Sequence, residues 1–138
     1  MYFEWKESYS VNVAEIDIQH KKMFEIGGRI VDLLLAKDGY DHYDEIITIL
    51  QELADYTVYH FGFEEELLEQ YGYKELDSQK IEHTFFIKKL EKFRKKDIDA
   101  DQKSVSTDLV AFVSDWITSH ILTADFKYRD HLNGKGLR

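Results

Sequence analysis

Residues 41–70 read DHYDEIITILQELADYTVYHFGFEEELLEQ. Ile46, Leu50, Leu53, Thr57, His60, Glu64 and Leu67 recur there at steps of three and four, the spacing of one face of an α-helix. Gly72, between Tyr71 and Tyr73, marks the break after it. His60 and Glu64 stand one turn apart on the stripe that should face a core.

The same period runs to either side. A first helix is predicted over 17–37, with His20, Phe24, Gly27, Val31 and Leu34 inward. Its Gly27-Gly28 pair costs helix stability and permits a close helix approach. A third is predicted over 76–95, with Leu76, Gln79, His83, Phe86, Leu90 and Phe93, and a fourth over 104–130, with Leu109, Val113, Trp116, Ile117, His120, Ile121 and Ala124. Residues 1–15 read as an irregular or extended arm, Lys95–Lys103 as a loop, and Asn133–Arg138 as a fraying tail. Short connections between long helices favour antiparallel neighbours. The expected fold is all-α: one domain over 1–138, an up-down-up-down antiparallel four-helix bundle with an N-terminal arm.

Composition agrees. The 138 residues suit one core, and the absence of proline suits helices. The absence of cysteine rules out disulfides, zinc–thiolate sites, thiolate-held clusters and cysteine nucleophiles. A net charge of −9 without a basic patch argues against nucleic acid and anionic membranes. No apolar run is long enough to span a bilayer, and Met1–Glu7 lacks the pattern of a signal peptide. The expectation is a cytoplasmic protein.

The informative residues are the polar ones on apolar stripes. In an antiparallel bundle, His20 near the start of the first helix meets His60 and Glu64 late in the second. Gln79 and His83, early in the third, and His120 with Asp125, late in the fourth, fall in the same layer. Buried imidazoles and carboxylates are costly unless paired, hydrogen-bonded or bound to metal. A lone histidine of this kind is ordinarily a satisfied core residue, but here every helix contributes at one depth. Four histidines and two carboxylates exceed the needs of one tetrahedral zinc. Carboxylates can bridge two cations, and bundle cores hold such pairs. Two metals are therefore expected. Asp125 fits least well, because five residues beyond His120 is about 140° around an ideal helix. It points inward only from a wide face or a distorted helix.

At these residues the chain resembles the bacterial hemerythrin-like proteins. The matching pieces are the Trp5-to-Tyr9 arm, Ile16-Asp17-Ile18-Gln19-His20, His60-Phe61-Gly62-Phe63-Glu64-Glu65, the pair at 79 and 83, and Trp116-Ile117-Thr118-Ser119-His120 through Asp125. The resemblance implies two irons bridged by an oxo or hydroxo group, with O2 as ligand. His20 and His60 would bind the iron with an open position, His83 and His120 the other, and Glu64 and Asp125 both. Trp116 and Ile117 would wall the open position. One departure stands out: the family places a third histidine four residues before His83, where this chain has Gln79. Three readings stand. The amide oxygen coordinates, a water does so with Gln79 as its hydrogen-bond partner, or Glu75 supplies a carboxylate.

Other features have plainer readings. His42 and His131 are expected at the surface. Phe61, Phe63, Phe85, Phe86 and Tyr128 are expected in the core, with Tyr128 also a candidate donor to a ligand carboxylate. The function implied is O2 storage, delivery or sensing by a monomer. The alternative is a di-iron redox enzyme acting on O2, peroxide or nitric oxide.

Overall fold

The computed structural model describes residues 3–40, 42–94 and 102–138. Helices α1 (Ala14–Leu35), α2 (Tyr43–Gln70), α3 (Leu76–Arg94) and α4 (Gln102–His120) are followed by a π-helical turn, Ile121–Asp125, and α5 (Phe126–Gly134). The closest packing runs α1 to α2, α2 to α3, α3 to α4 and α4 back to α1, the ring of an antiparallel four-helix bundle. Acidic residues sit in the first turns of α1 (Glu15, Asp17) and α2 (Asp44, Glu45), where the helix dipole favours them. Gly72 ends α2 with φ +67°. The Tyr73 amide bonds back to the Leu68 carbonyl at 2.9 Å, a closure that glycine at this position makes cheap. Most of the expected loop at 95–103 lies outside the described residues.

The arm is docked, not loose. After a 3₁₀ turn at Glu7–Tyr9, Asp17 accepts from the Ser10 hydroxyl at 2.5 Å and the Val11 amide at 2.9 Å. Gly27 does admit a close approach, but by the arm and not by another helix: a Cβ there would lie 2.1 Å from the Phe3 ring. The expected fraying tail is also held. The Asn133 side chain donates to the Asn12 and Leu137 carbonyls at 3.0 and 2.8 Å. Among the described residues, no helix is long and apolar enough to cross a membrane.

Two apolar clusters make the core. The larger includes Met23, Phe61, Phe86, Val113 and Ile121. The smaller holds Val11, Val13, Ile16, Leu68, Tyr128 and Leu132. Along α1 the chain passes from Ile16 through His20 to Met23, along α2 from Phe61 through Glu64 to Leu68, and after α4 from Ile121 through Asp125 to Tyr128. The polar residues thus form a layer between the two clusters.

Candidate metal centre

That layer contains His20, His60, Glu64, Gln79, His83, His120 and Asp125, each at most 4% exposed. All seven positions singled out in the sequence converge. Glu64 is the hub. Its Oε2 lies 3.3 Å from His60 Nε2 and 3.7 Å from His20 Nε2, while its Oε1 lies 2.9 Å from His83 Nε2. Asp125 faces both sides as well: Oδ2 is 3.3 Å from His20 Nε2, and Oδ1 is 3.1 Å from His120 Nε2. His20, His60 and Glu64 form one group whose donor atoms lie within 4.8 Å of one another; Glu64, His83 and His120 form a second.

The π-helical turn explains Asp125. Its extra residue makes a step of five act like a step of four, and the 140° misfit of an ideal helix falls to about 40°. The turn runs through Ile121, Leu122, Thr123 and Ala124, which include no glycine or proline to announce it. Asp125 is fully buried as a result.

A ring of outer residues fixes the imidazoles. His60 Nδ1–H donates to Gln19 Oε1 at 2.8 Å, and Gln19 Nε2 donates to Glu15 at 3.2 Å. His83 Nδ1–H donates to Glu65 Oε2 at 2.8 Å. His120 Nδ1 stands 3.5 Å from Glu82 Oε1. With its proton held at Nδ1, a neutral imidazole presents a bare Nε2 lone pair to the interior, the arrangement of a metal-binding histidine. The Tyr128 hydroxyl donates to Glu64 Oε2 at 2.8 Å. Phe61 stacks on the His83 ring at 3.9 Å, and Trp116 on His120 at 4.5 Å. Half-buried Trp116 thus stands against the His120 side and not beside His20 and His60, where the open position is expected, and Ile117 is buried in the larger apolar cluster.

Charge and hydrogen bonding in the layer fit cations. Burial pulls the His20 pKa down, but Asp125 and Glu64 outweigh it and lift it to about 9. His120 follows the same balance to about 9. At His60 burial, helped by the charge of His20, outweighs Glu64 and Asp125 and lowers it. Burial and Glu64 push Asp125 up, yet His120 and His20 bring it down to about 2. Glu64 lies well below the usual carboxylate range, burial being outweighed by its three histidine neighbours. Two buried carboxylates therefore stay ionised and require positive charge beside them. Yet His20 Nδ1 and Nε2, Glu64 Oε1 and Asp125 Oδ2 have no hydrogen-bond partner among the described residues. A buried polar group left unpaired is costly, so donor atoms crowded in this way suit shared cations placed between them. Imidazole and carboxylate together suit iron.

Several residues depart from expectation. Glu75 precedes α3, is exposed, and accepts from the Tyr73 hydroxyl at 3.3 Å; it is not at the centre. Phe85 is 54% exposed and outside the core. His131 is half-buried with Nε2 bonded to the Tyr71 carbonyl at 2.7 Å, and His42 is half-buried between Asp38 and Glu45. The stripes do not identify the outer partners Gln19, Glu65 and Glu82, although Gln19 and Glu65 stand in the stretches that carry the resemblance. Their signal was adjacency: each directly precedes or follows a residue of the layer.

Comparison with known proteins agrees with the geometry. The family model described as "Hemerythrin HHE cation binding domain" matches residues 11–132. A bacteriohemerythrin of Clostridium acetobutylicum is 41% identical over 93% of this chain and 99% of its own length. One of Pseudomonas aeruginosa is 32% identical, covering 91% and 78%. The myohemerythrin of Theromyzon tessulatum is 27% identical over 94% and 93%. A solved crystal structure of a leucine-to-phenylalanine mutant superposes with a TM-score of 0.79 at 28% identity, over 93% of this chain and 95% of the other. The chain belongs to the hemerythrin family, which implies a non-heme di-iron site.

Proposed function

We propose that this chain is an O2-binding protein with two irons in the polar layer, His20 and His60 serving one and His83 and His120 the other. Glu64 and Asp125 bridge the pair. The observation that carries this reading is the two-sidedness of both carboxylates: each oxygen of Glu64 and of Asp125 faces an imidazole from a different side. When bound, an iron pair supplies two electrons and an open coordination position, the chemistry of reversible O2 uptake.

The protein's own residues set the conditions. Tyr128 holds one oxygen of Glu64 in place. Burial, Asp125 and Glu64 push its hydroxyl well above its ordinary pKa, so it remains a donor at neutral pH. Gln19 and Glu65 fix the tautomers of His60 and His83. Phe61, Ile117 and Trp116 exclude bulk water on one flank, which disfavours escape of charged oxygen species. The layer draws on all four helices, which supports treating residues 1–138 as one functional unit. The names of the relatives favour oxygen binding over turnover.

The test is anaerobic reconstitution with ferrous iron, then exposure to air with absorbance and iron content recorded. Two irons per chain and a charge-transfer band that deoxygenation removes are expected. One iron or fewer, or a band that never reverses, contradicts the reading. Sustained consumption of peroxide or nitric oxide with a reductant would support the enzyme alternative instead.

A further inference from the structure

We propose, building on the two-iron reading, that Gln79 holds an exchangeable ligand, a water or the small anion that replaces it, on the metal beside His83 and His120. Gln79 lies one turn before His83 on α3 and is 2% exposed. Its Nε2 donates to Asp125 Oδ1 at 3.0 Å. Its Oε1 is buried without a hydrogen-bond partner among the described residues. The same Asp125 oxygen lies 3.1 Å from His120 Nε2, so the amide sits at the edge of the group formed by Glu64, His83 and His120.

A small cavity of about 20 Å³ meets Gln79 there. Its wall includes Ala124 and the exposed Glu75, Ser78 and Lys127. The cavity therefore lies between a buried amide and the protein surface. Its volume matches one water, and its polar lining offers the partners a water needs. The cavity gives a water or small anion a way from the surface to the amide, and Gln79 Oε1, with no partner among the described residues, is the acceptor left to hold it. An amide oxygen or a water binds a metal more weakly than imidazole does, so this position should exchange where a histidine would not. On the other side, His60 is backed by Gln19.

The experiment loads the full chain with ferrous iron under anaerobic conditions and mixes it with an excess of a ferrous chelator. Wild type should release iron in two phases of equal amplitude, about tenfold apart in rate. In Gln79→His the fast phase should merge with the slow one. In Gln79→Leu it should quicken further at unchanged amplitude. Circular dichroism melts of the metal-free variants check that the fold is kept. In the air-oxidised form azide serves as the small-anion probe: titration of its iron charge-transfer absorbance should give two bound azides per chain in wild type and one in Gln79→His, the other remaining at the open position beside His20 and His60. A single release phase in wild type, or a fast phase and azide count unmoved by either substitution, overturns the assignment while leaving the di-iron reading intact. Binding of fewer than two irons at the outset overturns both.

Discussion

Replacing Tyr128 with phenylalanine removes one oxygen atom from the centre and little else. The Tyr128 ring packs in the smaller cluster with Val11, Val13, Ile16, Leu68 and Leu132, and phenylalanine keeps that packing. What disappears is a 2.8 Å hydrogen bond to Glu64 Oε2, between two residues with no solvent exposure. Water cannot readily replace the donor. Hydrogen bonds to charged groups contribute about 1.5–3 kcal/mol, and metal-binding residues that lose an outer partner typically lose about 10–100-fold in affinity. Chelator-treated Tyr128→Phe should thus be about 1.5–3 kcal/mol less stable in urea titrations at pH 7, with an unchanged slope. Its iron affinity should fall about 10–100-fold in chelator competition. Tyr73→Phe is the control: its 3.3 Å bond goes to an exposed carboxylate, and its loss should cost less than about 0.5 kcal/mol. If Tyr128→Phe left both the urea midpoint and iron affinity at wild-type values, the hydroxyl would not be positioning Glu64, and the reasoning would fail.

Other outcomes follow from the same contacts. Gly27→Ala places a Cβ 2.1 Å from the Phe3 ring and should destabilise by about 1–3 kcal/mol; adding Phe3→Ala should recover most of that loss in a double-mutant cycle, and additive costs would refute the contact. Glu65→Gln weakens the acceptor 2.8 Å from His83 Nδ1 and should lower affinity for one of the two irons by about 10–100-fold, read by competition with a chelator. The metal-stripped protein should respond to pH at both ends. His20 and His120, raised from 6.5 to about 9, contribute stability that is complete below 6.5 and lost as pH rises through about 9. Asp125, lowered from 3.8 to about 2, contributes stability present above 3.8 and lost as pH falls through about 2. Melting temperatures of the stripped protein should therefore peak in mildly acidic buffer and fall toward pH 9 and above. A flat profile from pH 6 to 10 would contradict the ion pairs.

Much of the centre could be read before the structure because helical periodicity is a geometric rule. His20, His60, Glu64, His83 and His120 keep the three-to-four spacing of their stripes, so their depth and facing follow from position alone. Asp125 does not keep it. The π-helical turn that brings it inward has Ile121 and Ala124 buried and the Thr123 hydroxyl bonded to the Ser119 carbonyl at 2.7 Å, a local bond that also occurs in regular helices and so does not announce the turn. Gly27 was legible as a close approach, but its partner, Phe3, comes from an arm without helical periodicity. Gln19, Glu65 and Glu82 sit about 100° from an inward residue, a direction that ordinarily faces solvent or a neighbouring helix. Only the pairing of helices shows which imidazole each one meets. A surface position for His131 and a fraying tail from Asn133 are the expectations for the same reason: their partners, Tyr71 and Asn12, are distant in sequence.

The most direct measurement is a crystal structure of the iron-loaded protein with anomalous data collected at the iron edge. Two iron peaks are expected, one beside His20 and His60 and one beside His83 and His120, each within bonding distance of both Glu64 and Asp125. A single peak, or two peaks with either carboxylate bound to only one of them, would contradict the account.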